Sequence, residues 1–199
     1  MCSQEDSAAT QHSEWQVKDT VPYPPTWPGL HGPLGGRRVK KCALKIKEKK
    51  DMKYYVAYGS NLNIRQMLRR CPGAKLVRTW VLINYELQFR GSKTGAYLTV
   101  VKKKNGTAPV AVWKITEEDE KRLDRYEGYP NFYYKKTIPW KNMDAEVFMY
   151  VMHEDRPLGI PSESYYEICR QGYEDFGFTE ERLKDALKIS QEALEKNED

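Results

Sequence analysis

The run Tyr54-Tyr55-Val56-Ala57-Tyr58 and the Gly59-Ser60-Asn61 that ends it constrain the chain more than any other feature. Aromatic and β-branched residues without a charged break read as a buried strand, and a strand that stops at Gly-Ser-Asn enters a turn at once. Ile64, Met67 and Leu68 then recur at helical spacing, with Ser60 or Asn61 able to cap the helix and Cys71-Pro72-Gly73 to stop it. A strand, a Gly-containing turn and a helix start in succession aim backbone N–H groups into one concavity, which suits a carboxylate or an oxyanion. The same tripeptide also serves chain reversal alone, and the loop taken singly reads more readily as a structural turn than as a site.

Composition divides the chain near Asp51. Residues 1–36 carry Pro22, Pro24, Pro25, Pro28 and Pro33 with Gly29, Gly32, Gly35 and Gly36 and show no apolar periodicity, so that stretch cannot build a packed core. Trp15, Tyr23 and Trp27 within it could dock on the domain or on a partner. Residues 1–51 are expected to be a disordered extension, Pro/Gly-rich and then basic, ahead of one folded domain over 52–195. Of the net charge of +5, residues 1–51 hold nine Lys/Arg against six Asp/Glu, most of them between Arg37 and Lys50, and the remainder is nearly balanced at twenty-four against twenty-two. A solvated basic segment fits better than a nucleic-acid or membrane-surface patch. No window approaches the ~18–20 apolar residues of a membrane span, and the first twenty lack a signal-peptide core, so a soluble, cytoplasmic protein is expected. Cys2, Cys42, Cys71 and Cys169 lie far apart and His12, His31 and His153 are scattered; neither a disulfide framework nor a metal site is expected.

Downstream, strand-like runs cover Ala74 to Phe89, Tyr97 to Val101 and Pro109 to Ile115, with Lys102-Lys103-Lys104-Asn105-Gly106 as a hairpin turn signal. Thr116-Glu117-Glu118-Asp119 has capping-box spacing and opens a helix to about Tyr126. Phe132 to Pro139 and Ala145 to His153 read as strands, Ser164 to Gly172 and Thr179 to Ala193 as helices. The sum is an α+β domain, a small mixed, curled β-sheet or barrel with flanking helices, and no internal repeat.

Glu127 ends the acid-rich helix just before Gly128 and Pro130. A carboxylate at the negative end of a helix dipole, beside Tyr126 and Tyr129, should have a raised pKa, as a general base near neutral pH requires; the bland reading is one more surface acid. Asp124 competes for the same role, or pairs with Arg125. Fourteen tyrosines, Tyr133, Tyr134, Tyr150, Tyr165 and Tyr166 among them, read mainly as half-buried packing residues, some of which could line a polar pocket.

Together and in this order, Val56-Ala57-Tyr58-Gly59-Ser60-Asn61-Leu62, Leu123-Asp124-Arg125-Tyr126-Glu127-Gly128, Tyr150-Val151-Met152 and, more loosely, Pro161-Ser162 with Tyr165 and Gly172 resemble the gamma-glutamylcyclotransferase family, including its AIG2-like branch, from about Lys53 to Leu187. The resemblance implies release of 5-oxoproline from a gamma-glutamyl amide or peptide with no metal or organic cofactor. It implies Glu127 as general acid/base, and Tyr58, Gly59, Ser60, Asn61, Leu62, Tyr134 and Tyr150 as substrate-binding residues; a one-residue slip would exchange Tyr134 for Tyr133, since neighbours in a strand face opposite sides. Alternatives are a relative acting on gamma-glutamyl amines or a gamma-glutamyl protected metabolite, and a non-catalytic binding module of the same fold. The expected partner is a small gamma-glutamyl substrate, without nucleic acid or membrane, in a monomer or homodimer.

Overall fold

A computed structural model describes residues 53–92, 95–140 and 145–196; the expected extension over 1–51 lies outside the described residues. Five strands form one sheet: β1 (Lys53–Ala57), β2 (Lys75–Ser92), β3 (Gly95–Ile115), β4 (Tyr133–Thr137) and β5 (Val147–Met152), in the order β2-β3-β1-β5-β4. β1 sits in the middle, antiparallel to β3 from Lys53↔Ile115 to Ala57↔Ala111 and parallel to β5 at Tyr54↔Val147 and Tyr55↔Phe148. Its apolar run is explained by this position, since Val56 and Ala57 have no exposed surface. Every residue of β5 is buried as well.

Among the described residues the helices are α1 (Ile64–Arg70), α2 (Glu117–Glu127), α3 (Glu163–Asp175) and α4 (Glu181–Glu195), with a 3₁₀ turn over Ser60–Leu62. The cap of α1 is Asn63, whose Oδ1 accepts from Gln66 N at 3.0 Å, in place of the expected Ser60 or Asn61. Those two residues are occupied by the 3₁₀ turn, which delays the helix start. The capping box of α2 is present: Asp119 N donates to Thr116 Oγ1 at 3.1 Å, and Thr116 N to Asp119 Oδ2 at 3.1 Å.

The Lys102–Gly106 turn signal has another outcome. It lies inside β3, where the partnership jumps from Ile83↔Thr107 to Tyr85↔Lys102, and the hairpin continues to Ser92↔Gly95. Asn84 and Asn105 both have φ 63°, and Asn105 N donates to Asn84 Oδ1 at 3.0 Å. Asn105, with Asn84 on the partner strand, supplies the left-handed backbone of a bulge where a chain reversal was expected. Past the bulge the hairpin curls over the end of β5, where Met152 N donates to Thr99 Oγ1 at 3.0 Å, while Gly91 N bonds Pro157 O at 3.0 Å and Gly159 N bonds Phe89 O at 3.1 Å. No ladder joins β2 to β4 among the described residues, so the sheet is curled and open.

α3 crosses the 3₁₀ turn at Gly172. A Cβ there would lie 2.5 Å from Asn63 N and 2.8 Å from both the carbonyl carbon and the Cβ of Leu62. The contact is backbone on backbone and cannot yield by a rotamer change. Gly172→Ala should therefore destabilise by about 1–3 kcal/mol despite the better helix propensity of alanine. A melting temperature unchanged or raised in that variant would refute the close crossing.

Candidate active site

The end of β1, the 3₁₀ turn and the C-terminus of α2 meet at a narrow cavity walled by Tyr55, Tyr58, Gly59, Ser60, Asn61, Leu98, Glu127, Tyr133, Tyr150 and Tyr165. α2 is stopped there by Gly128, whose φ of 63° and ψ of 33° form a left-handed cap. Glu127 is thus the last helical residue, and its carboxyl meets the loop.

Asn61 is the centre of the arrangement. It is 3% exposed, and its Nδ2 donates to Tyr55 Oη and to Glu127 Oε1, both at 2.8 Å. Its Oδ1 accepts from Arg70 Nη1 at 2.5 Å. Because a guanidinium only donates, Arg70 fixes which way the amide points and so obliges Nδ2 to face Glu127. Arg70 itself is clamped. Its Nη2 donates to Tyr126 Oη at 2.7 Å, its Nη1 reaches Ser60 Oγ at 3.3 Å, and its guanidinium carbon stands 3.7 Å from the centroid of the Tyr126 ring.

Burial pushes the Glu127 carboxyl up to about 7, while Arg70 and the Asn61 hydrogen bond pull it the other way. The residue keeps some exposed surface on the outer side. The expected direction of the shift is present; of the expected neighbours, Tyr126 and Tyr129 are 47% and 42% exposed. The desolvating wall is made by the cavity tyrosines. Burial also raises the phenols of Tyr55, Tyr58, Tyr133 and Tyr165 well above their ordinary range, so they stay protonated. Buried Cys71 and Cys169 are pushed up to about 12, which keeps both thiols neutral. Glu127 is left as the cavity group that titrates near neutrality.

Of the loop residues singled out in the sequence, Tyr58, Gly59, Ser60 and Asn61 line the cavity. Tyr58 Oη donates to Tyr150 O at 2.6 Å, tying loop to β5. Gly59 has φ −114°, so no left-handed conformation requires it; a Cβ would stand 3.4 Å from Leu98 Cβ and from Tyr165 Oη, against the cavity wall. Leu62 does not join them. It is fully buried in the core, and its N–H closes the 3₁₀ turn on Gly59 O at 2.8 Å. Tyr150 lines the cavity with its ring while its hydroxyl donates to Asp124 Oδ1 at 2.6 Å. Asp124 also pairs with Lys135 at 2.7 Å, and Lys135 with Glu120 at 2.6 Å, so this acid belongs to an ion network behind the wall and does not pair with Arg125.

Tyr134 is corrected to Tyr133. The alternation of β4 points Tyr133 inward, where its hydroxyl donates to Leu98 O at 2.8 Å, and turns Tyr134 outward to donate to Glu154 Oε1 at 2.8 Å. Three wall or support residues were not read from sequence. Leu98 arrives on the far half of the hairpin, Tyr55 is on the β1 face shared with the cavity, and Arg70 looked like an ordinary basic residue in a last helical turn. The acceptor-bearing Asn61 nine residues earlier was the available signal for Arg70. Among the described residues no group of three or more His, Cys, Asp or Glu is placed to hold a metal ion, and no helix is long and apolar enough to cross a membrane.

Residues 55–167, more than half of the chain, match the family described as gamma-glutamyl cyclotransferase, AIG2-like. The protein belongs to that family. Among solved structures, an uncharacterized protein from Homo sapiens aligns with a TM-score of 0.59 at 22% identity, covering 68% of this chain and 86% of that one. A structure named gamma-glutamyl cyclotransferase aligns at 0.58 and 23%, with coverage of 68% and 86%. YkqA from Bacillus subtilis aligns at 0.57 and 18%, covering 73% of this chain and 56% of its own. At these identities the structures establish the shared fold. No curated protein matches the chain.

The burial of Glu127 and its proximity to Arg70 can be measured separately. Removing the cation in Arg70→Met should move the Glu127 carboxyl above about 7, since Arg70 opposes the effect of burial; a carbon-detected NMR titration reads this, and an unchanged or lowered value would refute the coupling. A carboxyl raised from its ordinary value to about 7 stabilises the fold most below the unfolded pKa and loses that contribution as pH rises to 7 and beyond. Glu127→Gln should therefore gain stability relative to wild type between pH 5 and pH 8, by on the order of 1 kcal/mol after allowing for its partial exposure. Equal differences at the two pH values in chemical denaturation would contradict the burial.

Proposed function

We propose that the protein cyclises the gamma-glutamyl group of a gamma-glutamyl amide, releasing 5-oxoproline and a free amine or amino acid, with Glu127 as base and then acid. The observation that carries this reading is a single carboxyl, raised to about 7, held by Asn61 at the wall of a small cavity in a member of this family. The substrate amine and its γ-carbonyl are already tethered, so the protein has only to fold the group and move protons. Glu127 takes a proton from the attacking α-amine as the N–Cδ bond forms. The tetrahedral oxyanion collapses, the bond from Cδ to the leaving nitrogen breaks, and Glu127 returns the proton to that nitrogen. Charge and atoms balance without water or any added nucleophile.

The N–H groups of Gly59, Ser60 and Asn61 precede the first bonds of the 3₁₀ turn, which start at Leu62 N and Asn63 N. They are the donors available to the γ-carbonyl oxygen or the α-carboxylate. Tyr58, Tyr133 and Tyr150 shape the cavity and exclude water. A binding module of the same fold would have no need to hold a carboxyl at this protonation balance, because its burial costs stability at neutral pH.

Release of 5-oxoproline from gamma-glutamyl-alanine, gamma-glutamyl-lysine isopeptide and glutathione tests the assignment. At least one should be turned over, with kcat/KM falling as pH drops below about 7 and with Glu127→Gln reducing kcat by roughly 10²–10⁴. No turnover of any gamma-glutamyl compound, or wild-type rates in Glu127→Gln, would sink it.

A further inference from the structure

The cavity that holds the Glu127 carboxyl opens into a second, larger cleft of about 350 Å³, and the two share Ser60, Glu127, Tyr133 and Tyr165 as a common wall. Glu127 therefore stands between an inner chamber and an outer one. On the cyclotransferase reading, on which this inference rests, the gamma-glutamyl group occupies the inner chamber, because the ring closes where Asn61 and the loop N–H groups are. The nitrogen that receives the returned proton, with everything attached to it, is then on the outer side.

The outer cleft has a distinct chemistry. Tyr97 and Phe132 line it with their rings 6.0 Å apart and edge-to-face, and Tyr97 meets Tyr165 edge-to-face at 4.9 Å. Tyr97 and Tyr126, at 42% and 47% exposed, are among the few large apolar side chains left open to solvent, and both line this cleft. Its charged lining consists of Arg125 and Glu127 alone. Arg125 is exposed and takes part in no ion pair among the described residues, whereas Arg70 nearby is fully engaged. An ammonium or a second cation on the leaving group would find no counter-charge apart from the catalytic carboxyl. A carboxylate would find Arg125.

We infer that the outer cleft seats the leaving group and selects one that carries its own α-carboxylate and an aromatic or large apolar side chain, with Arg125 holding the carboxylate and Tyr97 and Phe132 the side chain. Leaving groups that carry an ammonium, such as a lysine joined through its Nε in an isopeptide and bearing a free α-ammonium, are disfavoured by the same lining.

Four substrates separate the contributions: gamma-glutamyl-phenylalanine, its decarboxylated counterpart gamma-glutamyl-phenethylamide, gamma-glutamyl-alanine and the gamma-glutamyl-lysine isopeptide. The full-length protein should give the highest kcat/KM with gamma-glutamyl-phenylalanine. Its lead over the phenethylamide should be about fivefold or more, the size a half-exposed ion pair supplies. Its lead over gamma-glutamyl-alanine should be about tenfold, from aromatic contact in the cleft. Arg125→Gln should bring gamma-glutamyl-phenylalanine and the phenethylamide within about twofold of each other by raising KM for the former, and Tyr97→Ala should compress the phenylalanine-to-alanine ratio. If 5-oxoproline is released but the phenethylamide or the isopeptide matches or beats gamma-glutamyl-phenylalanine, or if Arg125→Gln leaves the ratio as it was, the inference fails and the proposed reaction stands. If no compound yields 5-oxoproline, the reaction itself is refuted and the inference with it.

Discussion

The amide of Asn61, held between Arg70 and Glu127, is the interaction on which the site depends. A buried carboxamide with both N–H bonds and its oxygen engaged has no second orientation of comparable energy, because turning it would set its oxygen against a carboxyl and its N–H₂ against a guanidinium. That single constraint joins the strand-end loop, the C-terminus of α1 and the C-terminus of α2. It also sets opposing influences on one proton: burial favours the neutral acid, while Arg70 and Asn61 favour the anion. A carboxyl poised near neutrality results from that opposition, with the larger effect coming from burial.

The elements that could be read from the sequence were those determined by local chemistry. Thr116 and Asp119 define their helix start by spacing alone, Gly128 defines its end by conformation, and the apolar run of β1 follows from having neighbours on both edges. What could not be read required knowing a distance across the fold. Choosing Tyr134 over Tyr133 was a choice of strand phase, which depends on one residue of register against β5. Leu62 shares a motif with cavity residues but is drawn into the core by the turn that its own N–H closes. The Lys102–Gly106 signal was correct about backbone conformation and wrong about topology, since a left-handed Asn serves a bulge as well as a reversal. The role of Arg70 depends on its meeting Asn61 and Tyr126, and helical periodicity assigns it no such duty.

The tyrosines show why counting residue types says little until they are placed. Tyr134 is an outward packing residue bonded to Glu154, and Tyr126 is a half-exposed support for a guanidinium. Tyr55, Tyr58, Tyr133 and Tyr165 are protonated cavity walls whose hydroxyls are spent on Asn61, Tyr150, Leu98 and Leu98 again. Large rigid rings with one polar edge can close a chamber against bulk water while leaving no buried polar atom adrift. The low-dielectric surroundings of Glu127 are their product.

The bulge at Asn84 and Asn105 divides the β2–β3 hairpin into two parts with different mechanical duties. On the near side the strands are sheet, β3 paired to β1 and β2 to β3; on the far side they form a roof, contributing Leu98 to the chamber and Tyr97 to the cleft. The roof is tied to β5 through Thr99 and to the segment after it through Phe89 and Gly91, so its length is fixed by the strands it covers. Because Leu98 of the roof anchors the Tyr133 and Tyr165 hydroxyls, the enclosure of the site and the protonation balance of Glu127 are coupled variables in this architecture, and a change that retunes which molecules fit also retunes that carboxyl.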